Sequence, residues 1–548
     1  MLWTSAQRLA VLTIIFALSA TIPAHSASLQ LVYSQPYDIG STVDPAVSVS
    51  RVEPLAMHFS AAVAPSSVRS DTITLQSATS TPKVSLSSSG EVITVRLLGS
   101  LLPSTIYTLH ATDLVGTGGE TLAAPIDIRF KTMDAVWQRP QLVDRTTATQ
   151  WDATTAVNEK GVRFVVWQQV GDSGNEIWAI RHTADNAAAT AVRIASVGND
   201  YISELKVSVD NDGNAFVTWV VDKSPPLPRH IWANRFVAGS GGGTGWGAPQ
   251  IIDGYAARSG TNLHLAFDRV GNAFALWQEY DCCAIHSLQS IVVNRYTKTS
   301  GWSKPTHLDN SSAFLAGTID IQTDDSGDAY ATWTMLADIH YPAPKLKVSR
   351  YVSNTGWSTP QLIAVESTMN SDGRQALAVN PKGEALLMWA DDTGLKFARA
   401  DELGKWSTPT SIDVNVLIGP SQIVLLDSGD AFAAFRTGVK RFYPDHGWWS
   451  WTQPLLSQQD ASTDPRIVVD LTGNALVVWT QNEGGIGRIY AKRYHADIGW
   501  RRAALIDTGN SLGAELQELF LDPIGNAVAA YRQNNDIGTS DVMTAQFK

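Results

Sequence analysis

The stretch "YDCCAIH", Tyr280 to His286, gathers the most reactive side chains of the sequence in one place. Its two cysteines, Cys282 and Cys283, are adjacent, and the chain has no others. Three chemistries fit such a pair. A disulfide between neighbours makes a strained ring and a rigid loop tip, and suits an oxidising compartment. Two buried thiols would be inert. A redox or metal site would enlist Asp281 and His286, yet a reactive thiol wants nearby cations, and Asp281 acts the other way. The disulfide is the expected state. A zinc site needs about four ligands, usually spread over two pairs, so no metal is expected.

Further chemistry-bearing residues fall in comparable loops: Glu279, His340, Arg374, Asp391 and Arg532, with Arg229, His264 and Asp392 beside them. Singly, each reads as a solvated charge or a hydrogen-bonded surface imidazole. Together, Glu279, Asp281, His286, His340, Arg374, Asp391 and Arg532 are the candidate ligand-binding set. Two carboxylates hydrolyse a glycosidic bond only at a set separation, which the sequence does not supply. No G-x-S-x-G, H-E-x-x-H, P-loop or dinucleotide fingerprint occurs. Neither a catalytic residue nor a cofactor is expected.

The elements that position these residues repeat. "DLTGNALVVW" from Asp470 has counterparts in "DNDGNAFVTW" from Asp210 and "DRVGNAFALW" from Asp268. The turn glycines are Gly161, Gly213, Gly271, Gly327, Gly383, Gly429, Gly473 and Gly525, spaced by 52, 58, 56, 56, 46, 44 and 52 residues. A leading strand such as "RIVVD" enters the turn, mostly D-x-x-G, in which Asp bonds amides ahead of it and Gly accepts positive φ. A second strand ends on an aromatic, at Trp167, Trp219, Trp277, Trp333, Trp389, Phe435, Trp479 and Tyr531. A third resembles "IWANRF", and a fourth often opens with Gly-Trp. Four antiparallel strands per repeat make a propeller blade.

The second strand is apolar on both faces: Ala475, Val477 and Trp479 on one, Leu476 and Val478 on the other. A sheet with one wet face would alternate, so each sheet is expected between two others. The first repeat-like element, Val136 to Asp144, matches a fourth strand, and Asp541 to Lys548 matches a third. Val136 to Val143 is therefore expected antiparallel to Val542 to Phe547, in one blade that completes an eight-bladed ring with no unpaired edge. The D-x-x-G phrase loosely resembles the Asp-box of sialidase-like propellers and the NHL-like propellers, but two residues, not one, usually separate Asp from Gly. A calcium loop of the EF-hand kind lacks its terminal Glu.

Ahead of the repeats, residues 28 to 134 read as short strands with period-two alternation: "AMHFS", "TITLQS", "VITVRLL", "IYTLHAT" and "IDIRFKT". Phe59-Ser60, Leu102-Pro103, Tyr107, the loop "GTGGE" and Phe130-Lys131-Thr132 resemble the bacterial Ig-like domains of surface-layer and other exported proteins. That resemblance implies a β-sandwich serving as spacer or presentation domain, and carries no catalytic residue. The expected fold is thus all-β: an Ig-like sandwich over 28–134 and an eight-bladed propeller over 135–548, closed by pairing of its first and last strands.

Residues 1–27 read as an export signal. Arg8 precedes an apolar run from Leu9 to Ile22, followed by small residues at Ala24 and Ser26. The run falls short of the ~20 residues of a spanning helix, so no membrane insertion is expected once the signal is removed. That segment carries one basic and no acidic residue, leaving 40 basic against 52 acidic, a net charge of −12. With no basic block, the charge argues against nucleic acid or an anionic membrane as partner, and neither is expected. The expected function is an exported, non-enzymatic binding or adhesion protein, in the periplasm, at the cell surface or secreted. Its variable loops would hold an extracellular glycan or protein. The alternative is an extracellular glycan hydrolase of sialidase-like architecture.

Overall fold

A computed structural model describes all residues except 1–27, 37–47, 144–149, 159, 184–189, 224–227, 240–243, 255–257, 269–270, 281–288, 312–317, 336–343, 366–374, 392, 414–418, 456–461, 523–524 and 537–539. The expected signal segment and the Cys282–Cys283 pair lie outside the described residues. The described residues are all-β, with no α-helix and so no helix that could cross a membrane. The chain divides into two compact units, Met1–Met133 and Asp134–Lys548.

The first unit has two four-stranded sheets. One orders Leu31–Gln35, Leu55–Phe59, Val92–Leu97 and Val84–Ser89; the other orders Ser48–Val49, Ile126–Thr132, Ile106–Ala111 and Ile73–Gln76. Alternation sends Met57, Phe59, Ile93, Val95, Leu109, Ile128 and Phe130 into one core. The motif residues have a physical job. The Tyr107 hydroxyl accepts the Leu102 N–H at 3.1 Å, and Thr132 Oγ1 accepts the Thr105 N–H at 2.9 Å and donates to the Leu102 carbonyl at 2.6 Å. The corner at Pro103 is thereby satisfied from the inside, where unmade backbone bonds are costly.

The second unit is a series of antiparallel sheets. In the first, Gln150–Val157, Arg163–Gly171, Gly174–His182 and Val192–Gly198 follow one another. The D-x-x-G turn joins strands one and two. At Asp210 the carboxylate accepts N–H bonds from Asp212 at 3.0 Å and Asn214 at 2.8 Å, and a side-chain bond from Asn214 at 2.7 Å. Gly213, at φ +80°, donates its N–H to the Asp210 carbonyl at 3.0 Å. Asp470 repeats the arrangement. These carboxylate oxygens are occupied by the turn they shape.

Second strands such as Ala215–Asp222 are buried on both faces, since neighbouring sheets cover each side. Trp167, Trp219, Trp277, Trp333, Trp389 and Trp479 are fully enclosed. An arginine of the third strand bridges to the next sheet. Arg181 lies over Phe236, Arg235 over Tyr296, Arg295 over Tyr351, Arg399 over Phe442, Arg441 over Tyr494 and Arg493 over Phe547, at 5.0–5.3 Å from the ring centroids. Where the next sheet has Ala400 in place of the aromatic, Arg350 binds the Glu402 carbonyl at 3.0 Å. Each such contact contributes about 0.5–2 kcal/mol.

The last sheet orders Ala514–Leu521, Ala527–Asn534, Ser540–Phe547 and Gln141–Leu142. Its outer strand thus comes from the opposite end of the unit. Leu142 pairs with Met543 and Gln141 with Thr544, antiparallel. Backbone bonds extend the ladder from Val143 to Val542 at 3.0 Å, from Gln138 to Gln546 at 2.7 Å and between Val136 and Lys548 at 3.1 Å. The first strand of each sheet lies beside the first strand of the next, and Ala514–Leu521 lies beside Gln150–Val157.

Candidate functional site

The first strands do not run straight. Their ladders slip between Trp151 and Thr154, Ser203 and Lys206, Thr261 and His264, Thr463 and Arg466, and Leu516 and Glu518. Each slip is a β-bulge, which bends a strand and re-aims its side chains. Asp152, Glu204 and Asn262 sit in the bulges at φ +49°, +54° and +55°. Asp and Asn tolerate this left-handed region; Glu does so at a cost.

The bulge residues have two uses. Some tie one sheet to the next: Glu204 accepts the Thr261 hydroxyl at 2.9 Å and the Leu263 N–H at 2.5 Å. Gln422, on a first strand whose ladder is unbroken, makes a similar tie by accepting the Ile467 N–H at 2.8 Å. Asp152 occupies the position equivalent to Glu204 but is one methylene shorter, and among the described residues no hydrogen bond reaches its carboxyl. It faces a cavity of about 630 Å³.

That cavity lies at the end of the sheets where strand two turns into strand three. Its walls come from the first, second, seventh and eighth sheets in chain order. Arg532 projects into it, 2.6 Å from Glu515, and Arg466 stands 3.6 Å from Glu518. Lys206 lines it without a hydrogen bond to any described residue. Asp152 is open to the cavity yet walled by protein. Loss of solvent raises its pKa above the ordinary aspartate value; Arg532 opposes the rise, Glu515 adds to it and Lys206 opposes it. A second cavity of about 630 Å³ follows the first strands from His264 to Leu425, where His264 and Asp320 approach to 3.6 Å.

Of the residues singled out from the sequence, Arg532 is in the first cavity. Glu279 is no loop charge: it is buried, with His307 at 3.2 Å and Arg258 at 3.7 Å. Asp391 is fully buried and capped by Lys396 at 2.5 Å and by the Thr393 N–H at 2.8 Å. Both hold the ends of second strands, where an unpaired buried charge would be costly. Arg229 pairs with Asp222 at 2.5 Å. Asp281, Cys282, Cys283, His286, His340, Arg374 and Asp392 lie outside the described residues. The reading from sequence missed Asp152, Lys206, Arg466, Glu515 and Glu518. They lie on strands rather than loops, and only a bulge turns them toward one point. The acid at the same place in "WDATTAV" and "SELKVSVD", ahead of each turn, was the available signal.

Residues 35–132 match the family model of the bacterial Ig-like domain. No curated protein matches the sequence. Among solved structures, the chain is similar to the polysaccharide lyase Uly1, at 10% identity over 70% of this chain and 87% of that one, with a TM-score of 0.36. It is also similar to the β-propeller domain of the Trilobed protease from Pyrococcus furiosus, at 11% identity over 67% and 97%, with a TM-score of 0.37. A leech intramolecular trans-sialidase matches at 10% identity over 91% and 94%, with a TM-score of 0.32. Likenesses this distant transfer no activity.

Proposed function

We propose that this chain is an exported, non-enzymatic binding protein. Residues 1–27 are its signal, the Ig-like unit is a spacer, and residues 135–548 form an eight-bladed propeller closed by its own first and last strands. The propeller holds an extracellular glycan or protein at the end of the sheets that carries Arg532. The strand pairing of Leu142 with Met543 and the adjacency of Ala514–Leu521 to Gln150–Val157 support the ring. The observation that carries the binding role is the cavity, where Asp152, Lys206 and Arg532 face solvent from separate sheets. Nucleic acid and membrane are not partners in this reading, consistent with an acidic surface that has no basic block.

A glycan hydrolase is the second reading. It is favoured by three carboxyls, Asp152, Glu515 and Glu518, around one cavity, with Asp152 raised as a general acid would need. The test is a glycan array probed with residues 28–548 and with Arg532→Ala, followed by product analysis on any glycan bound. Retention of intact glycan, weakened in the variant, supports binding. Release of cleaved product replaces it with hydrolysis.

A further inference from the structure

The cavity beside Arg532 carries both signs of charge. Asp152, Glu204, Glu515 and Glu518 contribute carboxylates; Lys206, Arg466 and Arg532 contribute cations. Such a wall repels neither a simple anion nor a simple cation outright, and favours a ligand that presents both. Among the described residues no aromatic ring lines it, so these offer a pyranose no stacking surface. Its apolar side chains are few, Leu205, Leu512 and Leu516 among them, which removes the usual drive for an apolar ligand.

The charged groups are not equally committed. Glu204 is tied to Thr261 and Leu263. The Arg532–Glu515 pair is solvent-exposed and the Arg466–Glu518 pair half-buried, with side-chain exposures of 36%/55% and 29%/26%. Pairs of that kind contribute ~0–1 kcal/mol and exchange partners readily. Asp152 and Lys206, on neighbouring first strands, have no hydrogen-bond partner among the described residues. At Gly485, Gly487 and Gly513 the wall is backbone, with the Gly485 N–H on Asn482 at 2.8 Å and the Gly513 carbonyl accepting from Asn534 at 3.0 Å and Gln533 at 2.6 Å.

We infer that this cavity binds a zwitterionic ligand of the peptide class, its ammonium group on Asp152 and its carboxylate on Lys206 with Arg466 or Arg532. The inference rests on the binding-protein reading and narrows it: the partner at this site is a short peptide with both termini free, not a neutral glycan. A volume of about 630 Å³ accommodates a few residues. The walls come from both ends of the repeat series, so an occupant would also brace the junction between Ala514–Leu521 and Gln150–Val157. Binding to the folded state alone raises the melting temperature.

The test is calorimetric titration of the full chain with triglycine, N-acetyl-triglycine, triglycine amide and the neutral sugar maltotriose. Triglycine should bind. Acetylation or amidation should each weaken it by about tenfold or more, the effect of one charge-assisted hydrogen bond. Asp152→Asn should bind free and acetylated peptide alike, and Lys206→Met should narrow the difference between acid and amide, with both melting at the wild-type temperature. Triglycine that does not bind at millimolar concentration, or that binds regardless of acetylation and amidation, overturns the inference, as does tighter binding of maltotriose. If peptides fail while the glycan array yields a ligand sensitive to Arg532→Ala, this inference falls and the binding-protein reading stands. If both fail, both fall.

Discussion

The guanidinium of Arg493 lies 5.1 Å from the ring centroid of Phe547, reaching from one sheet to the next. The same side chain bonds Asp470 at 3.1 Å and stands 3.8 Å from Asp134. It thereby joins a turn, a neighbouring sheet and the segment that precedes the pairing strand. The corresponding position of the last sheet is Gln546, which has no guanidinium to place over the first sheet. At that junction Val542 shares a buried apolar cluster with Val165, Trp167 and Ile180, and Gln150–Val157 packs beside Ala514–Leu521.

Arg493→Met should therefore destabilise the repeat unit by about 3–5 kcal/mol, because Asp470 would remain fully buried and lose its cation. Urea denaturation checks this. A loss below about 1 kcal/mol would mean that the stacking and ion pair are those of an exposed residue.

Trp479→Ala should cost about 3–5 kcal/mol, the usual effect of emptying a large aromatic site. The side chain is fully buried, and its indole N–H donates to Gln481 at 3.2 Å. A near-neutral result in the same denaturation measurement would show that the ring does not pack between sheets.

Removing residues 541–548 takes away the partner of Gln141–Leu142 and bares the edge of Ala527–Asn534. If the sheets form the proposed closed ring, the urea transition should move to lower concentration and broaden. An unchanged midpoint and slope would be incompatible with closure by this pairing.

His182 supplies a pH dependence. Burial, with the adjacent Arg163 adding to it, pushes its pKa from 6.5 down to about 4. In the unfolded chain it titrates near its ordinary value. Between those values the unfolded chain binds a proton that the folded chain refuses. Stability is thus fully present above about pH 6.5 and declines as pH falls toward about 4, by at most ~3 kcal/mol given partial exposure. His182→Gln should flatten that part of the stability profile. Equal slopes for both proteins between pH 7 and pH 4 would contradict it.

Thiol labelling of the unfolded native protein bears on Cys282 and Cys283. No free thiol is expected if the pair is oxidised in an exported chain. Two labelled cysteines would remove the disulfide.

The repeat, its turns and its buried aromatics were legible in the sequence because each rests on local rules. Gly213 must take a positive φ, Asp210 bonds the amides just ahead of it, and Trp219 lies in a strand that is buried on both faces, although that strand runs on to Asp222 rather than ending at the aromatic. The motif of Tyr107 and Thr132 was equally readable, since its partners lie within one corner of one sandwich. Glu279 and Asp391 read from sequence as loop charges. Only packing could turn them into buried ion pairs, because His307 and Arg258 approach Glu279 from outside its own strand. The convergence of Asp152, Lys206, Arg466 and Arg532 belongs to tertiary structure alone. Bulges displace the residues within their strands, and the arrangement of sheets brings residue 152 beside residue 532. A one-dimensional pattern carries periodicity and turn chemistry, which depend on neighbours in sequence. It does not carry the direction in which a slipped strand aims a side chain.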